Sequence, residues 1–517
     1  MNEFIKKNIE FWSSVPIKNG DKKLLIEEPR HPAMSHVNAV FARMLNQAQG
    51  YEPVWLNDGI NCQDDLLLRS YFPGAQIVRT KKRPFYKKIY VLIIALINFF
   101  KVYRTRDILN FCYDDIKYGD ILYDTYLFLY HKATIKKIDF RLVRIMASII
   151  LRHKEIKKIL QDGNYAGVLV SHQVGVDGGV LLRVALHCGY RGYLSAGQFQ
   201  LECFTKINEI YDYIFKAFPS NVDEIIENFG LKLENIFLDI FNKQVSGKGG
   251  WDGLHAFSSK HKYFKTRESF NKFYHLDSSK KNVFLMLHVF NDHPHSHFRW
   301  MLFRDYYDWF FQTLEFAKKH SNVNWIFKQH PSAKFYPTVD VSVDEIFKNC
   351  PPHITYINEK QQIDSRSLVC CSDLVITCLG SAGFEYPAMA GIPSLTAGDN
   401  FYTGLGFAKE PKTKSEYFEF LKMADKVEKL PVSLQRRAQA AYVHIHKFSK
   451  ISLLVAPKLN LEEEKDEKIS NWYWDRVIHN YKINQEEIYL EIKKYIQILA
   501  EPNFKRFNGL KNYYEKK

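Results

Sequence analysis

The sequence predicts an α/β protein of two doubly wound domains, each a mostly parallel sheet with helices on both faces. Three observations predict it. Short apolar runs alternate with longer stretches of helical periodicity. That alternation occurs in the first half of the chain and again in the second. Gly, Pro, Ser and His cluster just after the apolar runs, where such a fold exposes its loops.

In the first half, Lys23 to Ile26 (KLLI) reads as a strand, followed by the loop EEPRHPAMSH and a helix through Val37 to Ala48. A second strand follows at Pro53 to Leu56. Ala166 to Ser171 (AGVLVS) is the next clear strand; a loop from His172 to Gly179 leads into the helix GVLLRVALHCG. That helix ends at Gly189, a residue suited to a left-handed stop, and Gly192 to Ser195 is a further strand. In the second half the strands are Asn282 to His288, Val323 to Phe327, Ile354 to Ile357, Leu374 to Thr377 and Ser394 to Thr396. The helix Tyr306 to Lys319 lies after the first of these, its aromatic start YYDWFF reading as helix core. The expected division is an N-terminal domain over 1–276, a C-terminal domain over 282–458, and helices in 459–517 that pack back across both. The polar turn Leu276 to Lys281 (LDSSKK) marks the boundary. SGKGGWDG (Ser246 to Gly253) reads as loop and LEEEKDEK (Leu461 to Lys468) as a solvated charged stretch.

Composition bounds the function. The 517 residues are 46% hydrophobic and 15% aromatic, with 25 Gly and 18 Pro, which excludes collagen-like, mucin-like and largely disordered classes. Eight cysteines form no C-x-x-C pair, arguing against a disulfide framework or a cysteine zinc site. With no secretory signal pattern at the N-terminus, the expectation is a cytoplasmic protein. A net charge of +15 suits anionic partners. A basic nucleic-acid-binding protein is the reading from a different class, but the cations are dispersed and match no recognised module. No nucleic acid is expected as a partner.

Ile89 to Phe100 (IYVLIIALINFF) is the longest apolar run, short of the roughly 20 residues that span a bilayer. Arg79, Lys81, Lys82, Arg83, Lys87 and Lys88 precede it and Lys101, Arg104 and Arg106 follow. Two readings of 79–106 stand: a core helix with solvated ends, or a helix lying at the surface of an anionic membrane.

Chemistry is expected at the carboxyl ends of the strands. In WIFKQHPS, Pro331 biases His330 to an extended backbone, and Lys328 with His330 can meet a phosphate by charge and hydrogen bond. In DLVITCLGSAGFEYP, a strand delivers Gly380, Ser381, Ala382 and Gly383 to a helix start whose amides bind anions. Ser381 can cap that helix or donate to phosphate. Glu385 favours the helix dipole or accepts from ribose hydroxyls. In the first half, His172 and then Asp177 are the candidate proton acceptors, Asp177 also being a candidate helix cap. Asp120 and Asp124 share a helical face and can bind an acceptor or order a basic side chain. His288, His293, His295 and His297 invite a metal reading, set against substrate contact through Asn291, Asp292 or His293, and against plain loop chemistry. No D-x-D motif occurs, so no essential metal is expected.

The pairing of KQHPS with DLVITCLGSAGFEYPAMAGIP and AGDNFYTGLGF resembles the bacterial capsular polysaccharide and lipopolysaccharide glycosyltransferases. The likeness is most specific over Asn282 to Phe407 and looser through Tyr118 to Tyr126 and Val170 to Gly192. It implies a GT-B-like fold, two Rossmann-type domains facing a cleft, and an inverting, metal-independent transfer from a nucleotide-sugar to a saccharide or glycolipid acceptor. It further implies peripheral association with the inner membrane. By similarity to Kdo- and sialyltransferases, His330 and Ser381 bind donor phosphate, supported by Lys328 and Glu385. No cofactor is implied, and a CMP-sugar is the first donor expectation, although Ser381-Ala382 stands where the sialyltransferase pattern has a Ser/Thr pair. CDP-polyol phosphotransferases of teichoic acid synthesis also resemble this region through their His-Pro motif, which keeps a phosphoryl-type transfer as the alternative.

Overall fold

The computed structural model describes residues 2–29, 31–57, 62–79, 85–195, 200–212, 216–243, 261–297, 299–451, 453–457 and 469–510. Lys81 to Arg83, the loop Ser246 to Gly253 and the charged stretch Leu461 to Lys468 lie outside the described residues. The chain divides into two compact units. One comprises Met1–Thr125, Ile138–Ile214 and Ser449–Lys517; the other comprises Tyr126–Lys137 and Phe215–Phe448.

The first unit holds a six-stranded sheet: β1 (Lys23–Glu27), β2 (Glu52–Asn57), β3 (Gln76–Arg79), β6 (Tyr165–Val170), β7 (Arg191–Leu194) and β8 (Glu202–Phe204). A two-stranded hairpin, β4 (Cys112–Tyr113) with β5 (Ile116–Lys117), is separate from it. The order is β3-β2-β1-β6-β7-β8, parallel except for β8. Strand β1 is buried over four consecutive residues, as a strand covered on both faces must be. The order reverses between β1 and β6, and a crevice opens at such a point.

The helix after β1 spans Pro32–Gln49 and so begins five residues before the expected Val37. Pro32 occupies the first helical position, where a missing N–H costs nothing and the fixed φ favours the helix. The helix stops at Gly50, whose φ of 71° is left-handed. Gly189 likewise has a φ of +82° after the helix Asp177–His187, as expected.

Helices Ile469–Ile483 and Gln485–Leu499 belong to the first unit, a correction to the expectation that 459–517 spans both domains. Their apolar faces are spent inside it: Tyr473, Trp474 and Tyr481 share a core cluster with Phe4, Trp12 and Val37. Trp12 Nε1 donates to Tyr481 Oη at 3.2 Å, and the His36 ring lies 2.8 Å from Tyr473 Oη.

The second unit repeats the wiring with β9 (Asn282–Met286), β10 (Asn324–Lys328), β11 (Ile354–Ile357), β12 (Leu374–Thr377), β13 (Ser394–Thr396) and β14 (Ala408–Lys409). Its order is β11-β10-β9-β12-β13-β14, parallel throughout. Buried amides pin the register of its starting edge: Asn324 Nδ2 donates to Asn282 Oδ1 at 2.9 Å, and Asn282 Nδ2 donates to Asn271 Oδ1 at 2.7 Å.

The expected boundary at 276–282 is corrected by packing. Phe264, Phe270 and Leu276 share a core cluster with Phe284, Ile326 and Val375 of the second sheet. Helices Pro219–Phe229 and Leu233–Lys243 pack on helix Val432–Val443, with Phe237 and Tyr442 ring centroids 5.1 Å apart. Polar LDSSKK is a helix-to-strand turn held by Ser279 N–H to Asp277 Oδ1 at 3.0 Å; polarity marks turns inside domains as well as between them. Tyr126–Lys137 joins this unit through Ala133 N–H to Asp340 Oδ1 at 2.9 Å and Val339 N–H to His131 O at 2.8 Å.

Candidate functional site

Parallel strands end on one edge of their sheet, so the loops after β9, β10 and β12 share one rim of the second unit. Strands β10 and β12 flank β9 on either side. Their ends are therefore two strand spacings apart, about 10 Å, within reach of one nucleotide's phosphates. His330 follows β10 and the Gly380–Gly383 loop follows β12, so both leave this sheet's carboxyl edge, with His288 after β9 between their strands.

Lys328 closes β10. It is 9% exposed, and burial pushes its ammonium down to about 8. No acceptor or carboxylate among the described residues meets its Nζ. A buried cation without a counter-charge is costly, and such a group is satisfied when an anion arrives. His330 has the extended backbone expected before Pro331, with φ −64° and ψ 134°. Its Nδ1 accepts from Ser332 N–H at 3.1 Å, which in the neutral ring leaves the proton on Nε2 as a donor.

The loop after β12 is tied to β9. Leu379 N–H donates to His288 Nε2 at 3.1 Å, and Gly380 N–H donates to Thr377 Oγ1 at 2.9 Å. Burial, with the neighbouring His330 imidazole adding to it, pushes His288 down to about 3. His288 is thus a neutral acceptor stacked 4.4 Å from Tyr306, and neither a proton carrier nor a metal ligand is needed to explain it. Ser381 precedes the helix Ala382–Ala390 but does not cap it. Its side chain is exposed, and no acceptor among the described residues takes the Ser381 or Ala382 amide.

Two of the small residues are small because neighbouring side chains crowd them. A Cβ on Gly383 would lie 2.0 Å from Tyr402 Oη, and one on Gly380 2.6 Å from Thr377 Oγ1. Protein atoms, rather than a guest, fill that space. Glu385 sits half-buried in the first turn of the helix. A cavity of about 220 Å³ by the loops after β9 and β10 is lined by His288, Gln329, Lys334, Tyr336 and Glu359 among others, and Lys328, His330 and Ser381 are not part of its lining.

The other candidates of this unit spread out along the loop after β9. Asn291 is buried, with its Oδ1 unpartnered among the described residues. Asp292 is exposed. His293 takes a left-handed φ of 46° and stacks on Phe128 at 5.6 Å. Among the described residues no group of three or more His, Cys, Asp or Glu side chains is arranged to hold a metal ion.

In the first unit the polar residues gather where the strand order reverses. Glu27 ends β1 and is 6% exposed; its Oε2 accepts from Ser171 N–H at 2.7 Å and Ser171 Oγ at 2.9 Å. Burial pushes its carboxyl up to about 7 against those bonds. Gly178 is so close that a Cβ there would lie 2.9 Å from Glu27 Oε1. Sequence reasoning missed Glu27; the available signal was an acid closing an otherwise apolar strand, KLLIE, at its carboxyl end. His172 follows Ser171, half-buried, and burial pushes it down to about 4, so it is neutral at physiological pH. The helix cap is Val176, not Asp177; Asp177 stands in the first turn.

Asp120 and Asp124 lie on the helix Gly119–Leu129, and both are buried. Of the two expectations for Asp120, ordering a basic side chain is the one observed. Asp120 Oδ2 accepts from Arg183 at 2.5 Å and from Tyr211 Oη at 3.2 Å. Arg183, fully buried, also donates to the carbonyls of Gln173 and Gly179, each at 3.3 Å. The pair therefore braces the loop that carries His172.

No family model matches this chain, and no curated protein matches it. Solved structures similar to it include KpsC, a β-Kdo 2,4 transferase of Thermosulfurimonas dismutans. That match is 12% identical over 54% of this chain and 79% of that one, with a TM-score of 0.32. Acinetobacter baumannii MurG is 12% identical over 82% and 95%, TM-score 0.24. The wall teichoic acid polymerase TagF is 10% identical over 96% and 95%, TM-score 0.23. The α/β class with two doubly wound units stands on the strand order of each sheet.

Proposed function

We propose that this protein is a glycosyltransferase that moves a sugar from a nucleotide-activated donor to a saccharide or glycolipid acceptor. One observation carries the reading: the buried Lys328 ammonium, unpaired among the described residues, shares a sheet edge with His330 and with the Ser381 and Ala382 amides, which no acceptor among the described residues takes. Those donors suit a pyrophosphate or phosphate leaving group. Charge that develops on the leaving nucleotide is met by these fixed donors, of which Lys328 is buried, the setting in which such a donor acts most strongly. Ser381, freed from capping, donates to the same oxygens.

The first unit supplies proton acceptors for the attacking hydroxyl. His172 is neutral there, and Glu27 titrates close to neutrality, the range in which a general base is effective. Asp177 completes the set. A CMP-linked donor is the first choice by the resemblance noted above.

A thermal-shift series with CMP, CDP, UDP and GDP tests the reading. One nucleotide is expected to stabilise the wild type, with most of that effect lost in His330→Ala and in Lys328→Met. If every nucleotide acts alike on all three proteins, the donor site is wrong. Product analysis then separates glycosyl from phosphoryl transfer, since a new phosphodiester overturns the glycosyl assignment.

A further inference from the structure

The helix Phe85–Thr105 is apolar on two opposite sides. Val91, Ala95, Phe99 and Val102 are buried and form one stripe at helical spacing. On the other side Ile89, Ile93, Ile97 and Phe100 are between 43% and 58% exposed. A helix that is apolar all round is normally enclosed by protein or lipid, and soluble monomers seldom leave so continuous an apolar strip to water. Asn98, the one amide in the run, donates to its own helix at Ile94 O, 2.9 Å away. No described helix is long and apolar enough to cross a membrane.

The ends and flanks of the strip decide what covers it. Tyr86 and Tyr90 stand exposed at one end and Tyr103 at the other, the amphipathic rings that favour a membrane–water boundary. The helix contains no acidic residue. The neighbouring helix Arg141–Gln161 contains one, Glu155. Together the two helices carry ten Lys and Arg. Lys88, Lys101, Arg104, Arg106 and Arg144 are exposed, and Lys154 Nζ lies over the Tyr90 ring at 4.3 Å. Between the helices a groove of about 570 Å³ has an apolar floor of Val91, Leu92, Leu96, Val143 and Leu151, with Lys88 and Arg144 also lining it. Cations around an apolar strip match a surface that offers phosphates at the level of the charges and acyl chains beneath. An ordinary protein partner would leave most of those exposed cations at a solvated rim, whereas an anionic headgroup layer meets them all at one level.

We propose that this face seats on an anionic phospholipid bilayer, with helix Phe85–Thr105 lying in the plane of the membrane, its Ile and Phe strip in the acyl boundary. The cations reach headgroup phosphates while their stems cover apolar surface. This inference is independent of the donor site.

Flotation of the full chain with vesicles tests it. The wild type is expected to float with phosphatidylcholine–phosphatidylglycerol vesicles and far less with phosphatidylcholine alone. The triple variant Ile93→Ser, Ile97→Ser, Phe100→Ser is expected to lose at least about tenfold in partitioning, since each apolar side chain removed from the boundary weakens binding. Its unchanged circular dichroism and melting temperature would show that the fold is intact. If it is not, Lys101→Glu with Arg104→Glu provides the same test through charge. In Ile97→Trp, brominated lipid is expected to quench the new fluorophore. The proposal is overturned if the wild type floats with neither vesicle, or if the variants float as the wild type does. It is equally overturned if the wild type self-associates without lipid while the triple variant is monomeric, which would make the face a protein interface.

Discussion

Lys328 concentrates the opposing demands of stability and binding in one side chain. Its ordinary value of 10.5 falls to about 8 in the folded protein. Between those values the unfolded chain holds a proton that the folded one has released, so stability is expected to rise with pH across that window. Nucleotide affinity should run the other way, falling as pH passes through about 8, because the neutral amine no longer attracts phosphate. Melting curves at neutral and alkaline pH, with and without the nucleotide, read both slopes. Lys328→Met should raise stability without ligand and abolish both trends.

Glu27 works in the opposite sense. Its carboxyl is raised from 4.5 to about 7, so the folded state keeps a proton that the unfolded state loses. The associated stabilisation is complete below about pH 4.5 and disappears as pH rises through about 7, a change of at most on the order of 3 kcal/mol. Glu27→Gln is expected to flatten the melting temperature over this window. A variant that keeps the wild-type slope would show that another group is responsible.

At the level of single elements, the loop after β12 depends on one close approach. Gly383→Ala brings a methyl to 2.0 Å from Tyr402 Oη, whose hydroxyl donates to Gly380 O at 2.9 Å. The expected cost is about 1–3 kcal/mol, as for other overpacked sites, with part of it recovered when Tyr402→Phe is added. A double-mutant cycle in denaturant measures that recovery; strictly additive losses would contradict the contact. The strands themselves were legible in the sequence because they are buried on both faces and read as unbroken apolar runs, as in KLLI and LVIT. The start of the first long helix was less legible. A His31-Pro32 step punctuates a loop and opens a first helical turn equally well, and only the packing of Ala33, Ser35 and His36 into the core selects the second.

At the level of the molecule, the division of the chain is the main thing that composition misjudged. Residues 264–276 contribute Phe264 and Phe270 to the core beneath the second sheet, and the helices of 219–243 cover helix Val432–Val443. A fragment of 282–458 is therefore expected to lack a cooperative unfolding transition, whereas Phe215–Phe448 should retain one. Calorimetry of the two fragments compares them directly; a sharp transition in the shorter one would restore the boundary at LDSSKK.

Local pattern in the chain is enough to establish which segments are strands, which loops leave their carboxyl ends, and hence that Lys328, His330 and Ser381 stand on one edge of a sheet. These follow from runs a few residues long. The surroundings of each group were settled only by packing. Ser171 meets Glu27 across 144 residues and Arg183 meets Asp120 across 63, and Tyr402 fixes the need for glycine at 383. Whether a carboxyl is raised, an ammonium unpaired or an apolar helix face left open depends on which distant neighbours arrive, because desolvation and pairing are properties of a packed environment rather than of a local pattern.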